Sequence, residues 1–371
     1  MPIKVVYIDD VVQDLLKYKA KFAIDSRARE KFAIEPINTP KSPGDYDRIS
    51  KANPELLLID YNLDIPDENN EVIGISGVTL STELRKRFSE VPIVLFTRKS
   101  VFRIQDYTKI KETLCSIDEI VYKQDIFKAD SSILEELYKL SAGYKTLRNQ
   151  SSRSWDALMK LLGASQSDME LLEQAESPVS YGKGWAAASV AAWIRNIVLE
   201  FPGILYDQVY ASMLLGISKG AFQSENVQET FAPAKYKGIF EPPDGRWWKS
   251  KLLNVAYSMM NKKERELPLR DGFPAALERR KETAIKRAKC VFSGESPADW
   301  VCHVLKKPVM IKYSLSYKAD NRPTVMDEAR VSFEAIRTSN DFDERHVDPL
   351  GRELIPDIRK MPKPAESVSV D

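Results

Sequence analysis

Glu55-Leu56-Leu57-Leu58-Ile59-Asp60 is a run of four apolar residues closed by a carboxylate, and the same construction recurs on either side of it. Upstream, Lys4-Val5-Val6-Tyr7-Ile8 ends in Asp9-Asp10. Downstream, Pro92-Ile93-Val94-Leu95-Phe96 ends in Thr97, and Asp118-Glu119-Ile120-Val121-Tyr122 ends in Lys123. Short apolar runs separated by stretches of helical spacing read as strands of a parallel sheet buried on both faces. In open α/β sheets, ligands sit in the crevice beyond the carboxyl ends of the strands. Asp9, Asp10, Asp60, Thr97 and Lys123 are therefore expected to line one pocket. A single strand-end Asp also serves as a turn or helix cap, so the ordered set of five carries the argument.

That order, Asp-Asp, Asp, Thr, Lys, resembles the receiver (CheY-like) domain of two-component response regulators over roughly residues 1–130, and Ile59-Asp60-Tyr61-Asn62-Leu63 resembles its phosphoacceptor motif. The resemblance implies a doubly wound, five-stranded parallel sheet of flavodoxin-like type. It implies Asp60 as phosphoacceptor, and Mg²⁺ held by Asp9, Asp10, Asp60 and the backbone carbonyl of Asn62. Thr97 and Lys123 are then the residues that bind the phosphoryl group. The chemistry explains the residue types: a carboxylate attacking a phosphoryl group meets charge repulsion, which a divalent cation and a lysine offset. The implied partner is a histidine kinase or phosphotransfer protein, and phosphorylation is expected to favour a homodimer. The pattern departs from the family at Arg98-Lys99 after Thr97, at Gln124 after Lys123, and at Ile120, where an aromatic residue is common. Between Asp60 and a helix expected at Val78-Thr79-Leu80, the stretch Ile65-Pro66-Asp67-Glu68-Asn69-Asn70-Glu71 is long and acidic for the family.

A chain of 371 residues exceeds what one hydrophobic core supports. The expected division is a receiver over 1–130, a connecting helix and linker over 131–154, a mainly α-helical output region over 155–355, and a flexible tail over 356–371. The 55 Lys plus Arg nearly balance 54 Asp plus Glu, but residues 231–290 hold 15 basic against 7 acidic residues, an excess of 8. No long apolar run, signal peptide or disulfide framework is present in the sequence, so a cytoplasmic protein without membrane attachment is expected.

Beyond Ser131, helices are predicted at Ile133–Leu140, from Trp155 to Leu162, from Trp185 to Leu199, and from Ala275 to Lys289. The segment Ser212-Met213-Leu214-Leu215-Gly216-Ile217-Ser218-Lys219-Gly220-Ala221-Phe222 resembles a helix-turn-helix, with Lys219, Gln223 and Asn226 able to reach nucleic acid. Glu225 and Glu229 would repel phosphate there. The basic and aromatic stretch around Trp247-Trp248-Lys249 fits either a nucleic-acid surface or a buried pair of rings, with Lys249 a candidate contact in the first case. Cys290, Cys302, His303 and His346 invite a zinc reading, but lack the close paired spacing of structural zinc sites. Residues 131–371 show no Walker loop, dinucleotide fingerprint or nucleophile–base constellation, and no catalytic output is expected. Three readings follow: a phosphorelay regulator acting through protein partners, a DNA-binding transcription regulator through residues 208–230, and a phosphoryl sink or pseudo-receiver adaptor.

Overall fold

The computed structural model describes residues 2–41, 43–63, 76–98, 116–175, 177–179, 185–281, 285–318 and 322–362. The chain divides into two compact units, Met1–Ala157 with Pro178–Trp193, and Leu158–Ser177 with Ile194–Asp371.

In the first unit, β1 (Ile3–Asp9), β2 (Phe32–Asn38), β3 (Leu56–Asp60), β4 (Ile93–Thr97) and β5 (Glu119–Tyr122) form a parallel sheet in the order β2-β1-β3-β4-β5. This is the doubly wound arrangement expected, and the four quoted runs are four of its strands. β2 was not among them, because Glu35 and Pro36 interrupt its apolar pattern; as an edge strand it tolerates a residue that cannot donate a ladder hydrogen bond.

The helices are α1 (Val12–Ile24), α2 (Ser26–Lys31), α3 (Pro43–Ala52), α4 (Gly77–Arg87) and α5 (Ile133–Arg148). On one face of the sheet, Val6, Ile8, Leu57, Ile59, Ile93 and Leu95 pack with Leu80 and Leu84 of α4. The other face holds edge-on contacts of Tyr7, Tyr18 and Phe96, and of Phe22 with Phe32 and Phe127. Each buried Leu or Ile contributes roughly 1.5–3 kcal/mol, enough to outweigh about 1–2 kcal/mol for fixing its backbone, so the two-sided strands β3 and β4 hold the sheet. Asp118 joins three elements: its carboxylate accepts from Arg85 Nη2 and Tyr144 Oη, both at 2.5 Å, and from the Ile93 N–H at 2.8 Å. The segment 185–193 belongs to this unit through Glu90, whose carboxylate takes both Arg153 Nη atoms at 2.9 and 2.8 Å. Glu90 also accepts from the Ala187 N–H at 3.3 Å.

The second unit is mainly helical. Its larger core gathers Phe222, Phe231, Trp247, Leu252 and Phe273 from helices Gln208–Leu214, Lys219–Phe222, Lys249–Met259 and Leu269–Lys281 and the segments between them. The helix expected from Trp185 is an α-helix at Ala187–Trp193 running into a π-helical turn, Ile194–Val198. Two small sheets were not anticipated. One pairs β6 (Leu205–Tyr206) with β7 (Trp247–Trp248); the other has the order β10-β11-β8-β9, from β8 (Trp300–Cys302), β9 (Lys307–Val309), β10 (Ser314–Ser316) and β11 (Arg330–Ser332). Strands of two or three residues are too short to leave a period in the sequence.

Two boundaries are corrected. The helix expected over Ala275–Lys289 is Leu269–Lys281, and Lys286 and Ala288 are not helical, their carbonyls accepting from the Ser218 and Ala298 N–H groups. Residues 356–360, expected in the tail, close the helix Pro349–Lys360, where burial of Ile355 and Ile358 outweighs the hydrogen bond lost at Pro356. The acidic stretch at 65–71, Lys99 and residues 363–371 lie outside the described residues.

Candidate functional site

The register of the sheet brings the strand ends together. Ile8 is level with Ile59, Asp60 with Phe96, and Thr97 with Tyr122. Asp9, Asp60, Thr97 and Lys123 thus occupy neighbouring rungs at the carboxyl edge, with Asp10 one residue beyond Asp9. All five predicted side chains fall at this edge. One carboxylate oxygen from each of Asp9, Asp10 and Asp60 lies within 4.8 Å of the other two, and this is the only such group of potential metal ligands among the described residues.

Lys123 forms the floor. Its side chain is 2 % exposed, and Nζ stands 2.7 Å from Asp60 Oδ1 and 2.9 Å from Asp9 Oδ2. The rings of Tyr7, Tyr18 and Phe96 surround it, each with its centroid 5.6 Å from Nζ, so the ammonium meets π faces wherever it does not meet carboxylate. Asp9 is held on both oxygens: Tyr7 Oη and Lys123 donate to Oδ2, and the Val11 N–H donates to Oδ1 at 2.9 Å.

The carboxylates of Asp9, Asp10 and Asp60 about one ammonium leave excess negative charge in a largely buried pocket. Burial pushes the Asp60 carboxyl up to about 6; Lys123 draws it down, and Asp9 and Asp10 push it up again. Burial alone would lower the Lys123 pKa, but the charges of Asp60 and Asp9 outweigh it and hold the group above its ordinary value. Burial, then Asp9, raise the Tyr7 phenol, which stays protonated as a donor. A set of hard oxygen donors whose negative charges exceed its one cation by two suits a divalent cation.

Three participants were missed by the sequence reading. Asp14 on α1 approaches Lys123 Nζ at 3.9 Å, and Arg98, noted only as a departure, donates to Asp14 at 2.5 Å. Asp14 lies in the first turn of α1, which starts at Val12 directly after the Asp9-Asp10 strand end, and that closeness to the strand end was the available signal. The third is Gly77, the first residue of α4. Its N–H donates to the Tyr61 carbonyl at 3.0 Å, and a Cβ built on it would stand 2.1 Å from the Asp60 carbonyl oxygen. At Gly77 the chain therefore lies against the backbone of Asp60 and Tyr61. Thr97 is buried beside the site, and the peptide after Lys123 is trans.

The candidate nucleic-acid residues are not assembled on one helix. Gly216 at φ +69° ends helix Gln208–Leu214, and its Cβ position falls 2.0 Å from the Arg270 carbonyl oxygen, so the turn is built for close packing. The following helix, Lys219–Phe222, stops after one turn, and a separate helix, Glu225–Thr230, begins with Glu225 exposed. Lys219 and Asn226 are exposed, Gln223 Nε2 donates to Gln208 Oε1 at 2.6 Å, and Lys249 Nζ sits 2.8 Å from Asp327 Oδ1 over the Tyr206 ring. The rings of Trp247, Trp248, Phe231 and Tyr236 are buried, so they stack on no base. Cys290 and Cys302 are buried free thiols accepting backbone N–H groups; with His303 and His346 they form no metal-ligand cluster among the described residues. No described helix is long and apolar enough to cross a membrane.

No protein-family model matches the sequence, and no curated protein matches it. Among solved structures, the chain is similar to the response regulator protein TrrA from Thermotoga maritima in complex with Mg(2+)-BeF, at 20% identity and a TM-score of 0.26, over 37% of this chain and 99% of that one. It is similar also to a response regulator receiver domain protein from Clostridium thermocellum, at 17% identity and a TM-score of 0.27, over 39% and 98% of the two chains. A third is the signal receiver domain of a Luxo repressor protein from Vibrio parahaemolyticus, at 11% identity and a TM-score of 0.29, over 40% and 100%. Strand order and register within the unit, rather than these scores, establish its architecture: the N-terminal unit of this chain has the receiver fold, with three carboxylates, a threonine and a lysine at the carboxyl edge of its sheet.

Proposed function

We propose that this protein is a phosphorelay response regulator in which Asp60 accepts a phosphoryl group from a histidine kinase or phosphotransfer protein. The observation that carries the reading is the bridge of Lys123 between Asp60, at 2.7 Å, and Asp9, at 2.9 Å, with Asp10 completing the acidic ring. In the transfer, an Asp60 carboxylate oxygen attacks phosphorus, the phosphorus–nitrogen bond to the donor imidazole breaks, and the imidazole leaves with the bonding pair. Lys123 then moves its pairing from the Asp60 carboxylate to phosphoryl oxygens, and the Thr97 hydroxyl donates to one of them. Asp9, Asp10, Asp60 and the Asn62 carbonyl would hold Mg²⁺, which supplies neutralisation of the charge gathering between carboxylate and phosphoryl oxygens. The phosphoryl group adds about −1.5 to −2 charges at the sheet edge, which is the signal.

Both histidines available to act as an internal donor, His303 and His346, lie against Tyr317 in the second unit, which favours a donor on another molecule. We read the second unit as a non-catalytic output that binds a protein partner. The one-turn helix after Gly216, the burial of the aromatic rings and the engagement of Lys249 with Asp327 weigh against DNA.

The test is intact-mass analysis of the full chain after incubation with acetyl phosphate and Mg²⁺, and with candidate phosphorylated histidine kinases. One phosphoryl group on wild type and none on Asp60→Asn is expected. Wild type that stays unmodified with every donor leaves a pseudo-receiver. A pull-down comparing the two forms then separates outputs: enriched DNA fragments would overturn the protein-partner reading.

A further inference from the structure

Asp14 and Arg98 lie outside the five-residue set, yet they meet across its mouth. Asp14 is 8 % exposed and carries three cations: Arg98 Nη2 at 2.5 Å and Lys123 Nζ at 3.9 Å from Oδ2, and Lys17 Nζ at 3.9 Å from Oδ1. Arg98 follows Thr97 directly, so its backbone leaves the strand end beside the acceptor. Its side chain is 56 % exposed whereas that of Lys123 is 2 % exposed: one cation stands at the opening and the other at the floor. The hydrogen bond to Asp14 is the main influence on the Arg98 guanidinium, and the Asp60 charge also acts on it. A guanidinium fork bonds carboxylate and phosphoryl oxygens alike. Asp14 offers one negative charge; a phosphoryl group on Asp60 offers about 1.5–2, on an adjoining side chain.

We propose that Arg98 is a latch, held by Asp14 while Asp60 is unmodified and transferred to the phosphoryl oxygens once Asp60 is phosphorylated, where it closes the pocket to water and sets the lifetime of the acyl phosphate. This rests on the reading of Asp60 as acceptor. The reaction it slows is hydrolysis: a water oxygen attacks phosphorus, the bond to the Asp60 carboxylate oxygen breaks, and inorganic phosphate and the free carboxylate result. Because Arg98 lies at the surface, the transfer needs no repacking of the core.

The two partners predict opposite effects. Full-length wild type, Arg98→Ala and Asp14→Asn are phosphorylated with acetyl phosphate and Mg²⁺, freed of donor, and followed by intact mass. Arg98→Ala is expected to shorten the lifetime about tenfold, the worth of one charge-assisted hydrogen bond. Asp14→Asn, which releases the guanidinium from its resting partner, is expected to lengthen it. Arg98→Lys keeps the charge without the fork and falls between. If the pair were only a brace, both substitutions would shift the lifetime the same way, and that result, or an unchanged lifetime in Arg98→Ala, overturns the latch. Wild type that takes up no phosphoryl group overturns the acceptor reading on which the latch depends, which the uptake measurement separates from failure of the latch alone.

Discussion

Asp60→Asn should make the first unit more stable at neutral pH, by an amount the pocket's electrostatics define. The folded chain holds the Asp60 carboxyl at about 6 against an ordinary 3.8, chiefly through burial and despite the pull of Lys123. At about 1.4 kcal/mol per pH unit, that rise corresponds to a cost on the order of 3 kcal/mol when the group is ionised. Below about pH 4 the carboxyl is neutral in both folded and unfolded chains, and the cost is absent. Between about pH 4 and 6 the folded state binds the extra proton, so stability falls as pH rises; above about 6 the full cost is present. The amide imitates the neutral acid at every pH, while Asp9 keeps Lys123 paired at 2.9 Å. Urea-dependent hydrogen exchange of the β3 and β4 amides reports this unit by itself. The expected pattern is a gap of about 3 kcal/mol in favour of Asp60→Asn at pH 7.5 that closes toward pH 4. A cation at one hundred times its dissociation constant restores about 2.7 kcal/mol to wild type, so Mg²⁺ should nearly erase the gap at pH 7.5. A variant no more stable than wild type at pH 7.5, or a gap indifferent to pH, would refute the reasoning.

Further expectations can be checked with the same methods. Asp9→Ala strips Lys123 and Tyr7 of a shared buried partner and should cost about 3–5 kcal/mol in urea unfolding, far more than removal of an exposed ion pair. Gly77→Ala forces a methyl group against the Asp60 carbonyl and should lower stability by about 1–3 kcal/mol, with a reduced phosphorylation rate because the acceptor's backbone shifts. Asp10→Ala should abolish the thermal upshift produced by Mg²⁺. Lys249→Ala should lower the melting temperature of the second unit by leaving Asp327 and Tyr206 without their cation, whereas Lys219→Ala, at an exposed position, should leave it unchanged. Cutting the chain at Arg153 removes the Trp185–Trp193 segment that docks on Glu90, and should leave the receiver fold less resistant to proteolysis than in the intact protein.

The sheet was legible because β3 and β4 are apolar on both faces and β1 nearly so, and because each run, the short edge run of β5 included, stops where the chain meets the pocket. Edge position hid β2, since Pro36 and Glu35 are tolerated only there. Of the pocket, the strand-end residues were readable from order alone. Asp14 depended on the phase of α1, and Arg98 on where a long side chain folds back; neither follows from a residue's distance along the chain. In the second unit the same physics ran the other way. Trp247, Trp248 and Lys249 fitted either a surface or a buried pair of rings; the second holds, with both rings of β7 buried and the lysine paired with Asp327. The Leu-Gly-Ile-Ser turn resembled that of a helix-turn-helix, but Gly216 packs against Arg270 of helix Leu269–Lys281 and the helix after the turn ends at Phe222.

The return of the chain at Gly77 fixes both ends of the stretch that follows Asp60. Its stem is closed by the hydrogen bond from Gly77 to Tyr61 and by the fit of a residue without a side chain against the Asp60 carbonyl. Loop-closure entropy grows only by about 0.6 kcal/mol for each doubling of length. A change in the number of residues between Leu63 and Ser76 is therefore expected to alter the entropy of closing that stem only slightly. The length of that stretch and the geometry of the sheet edge are thereby only weakly coupled through chain entropy.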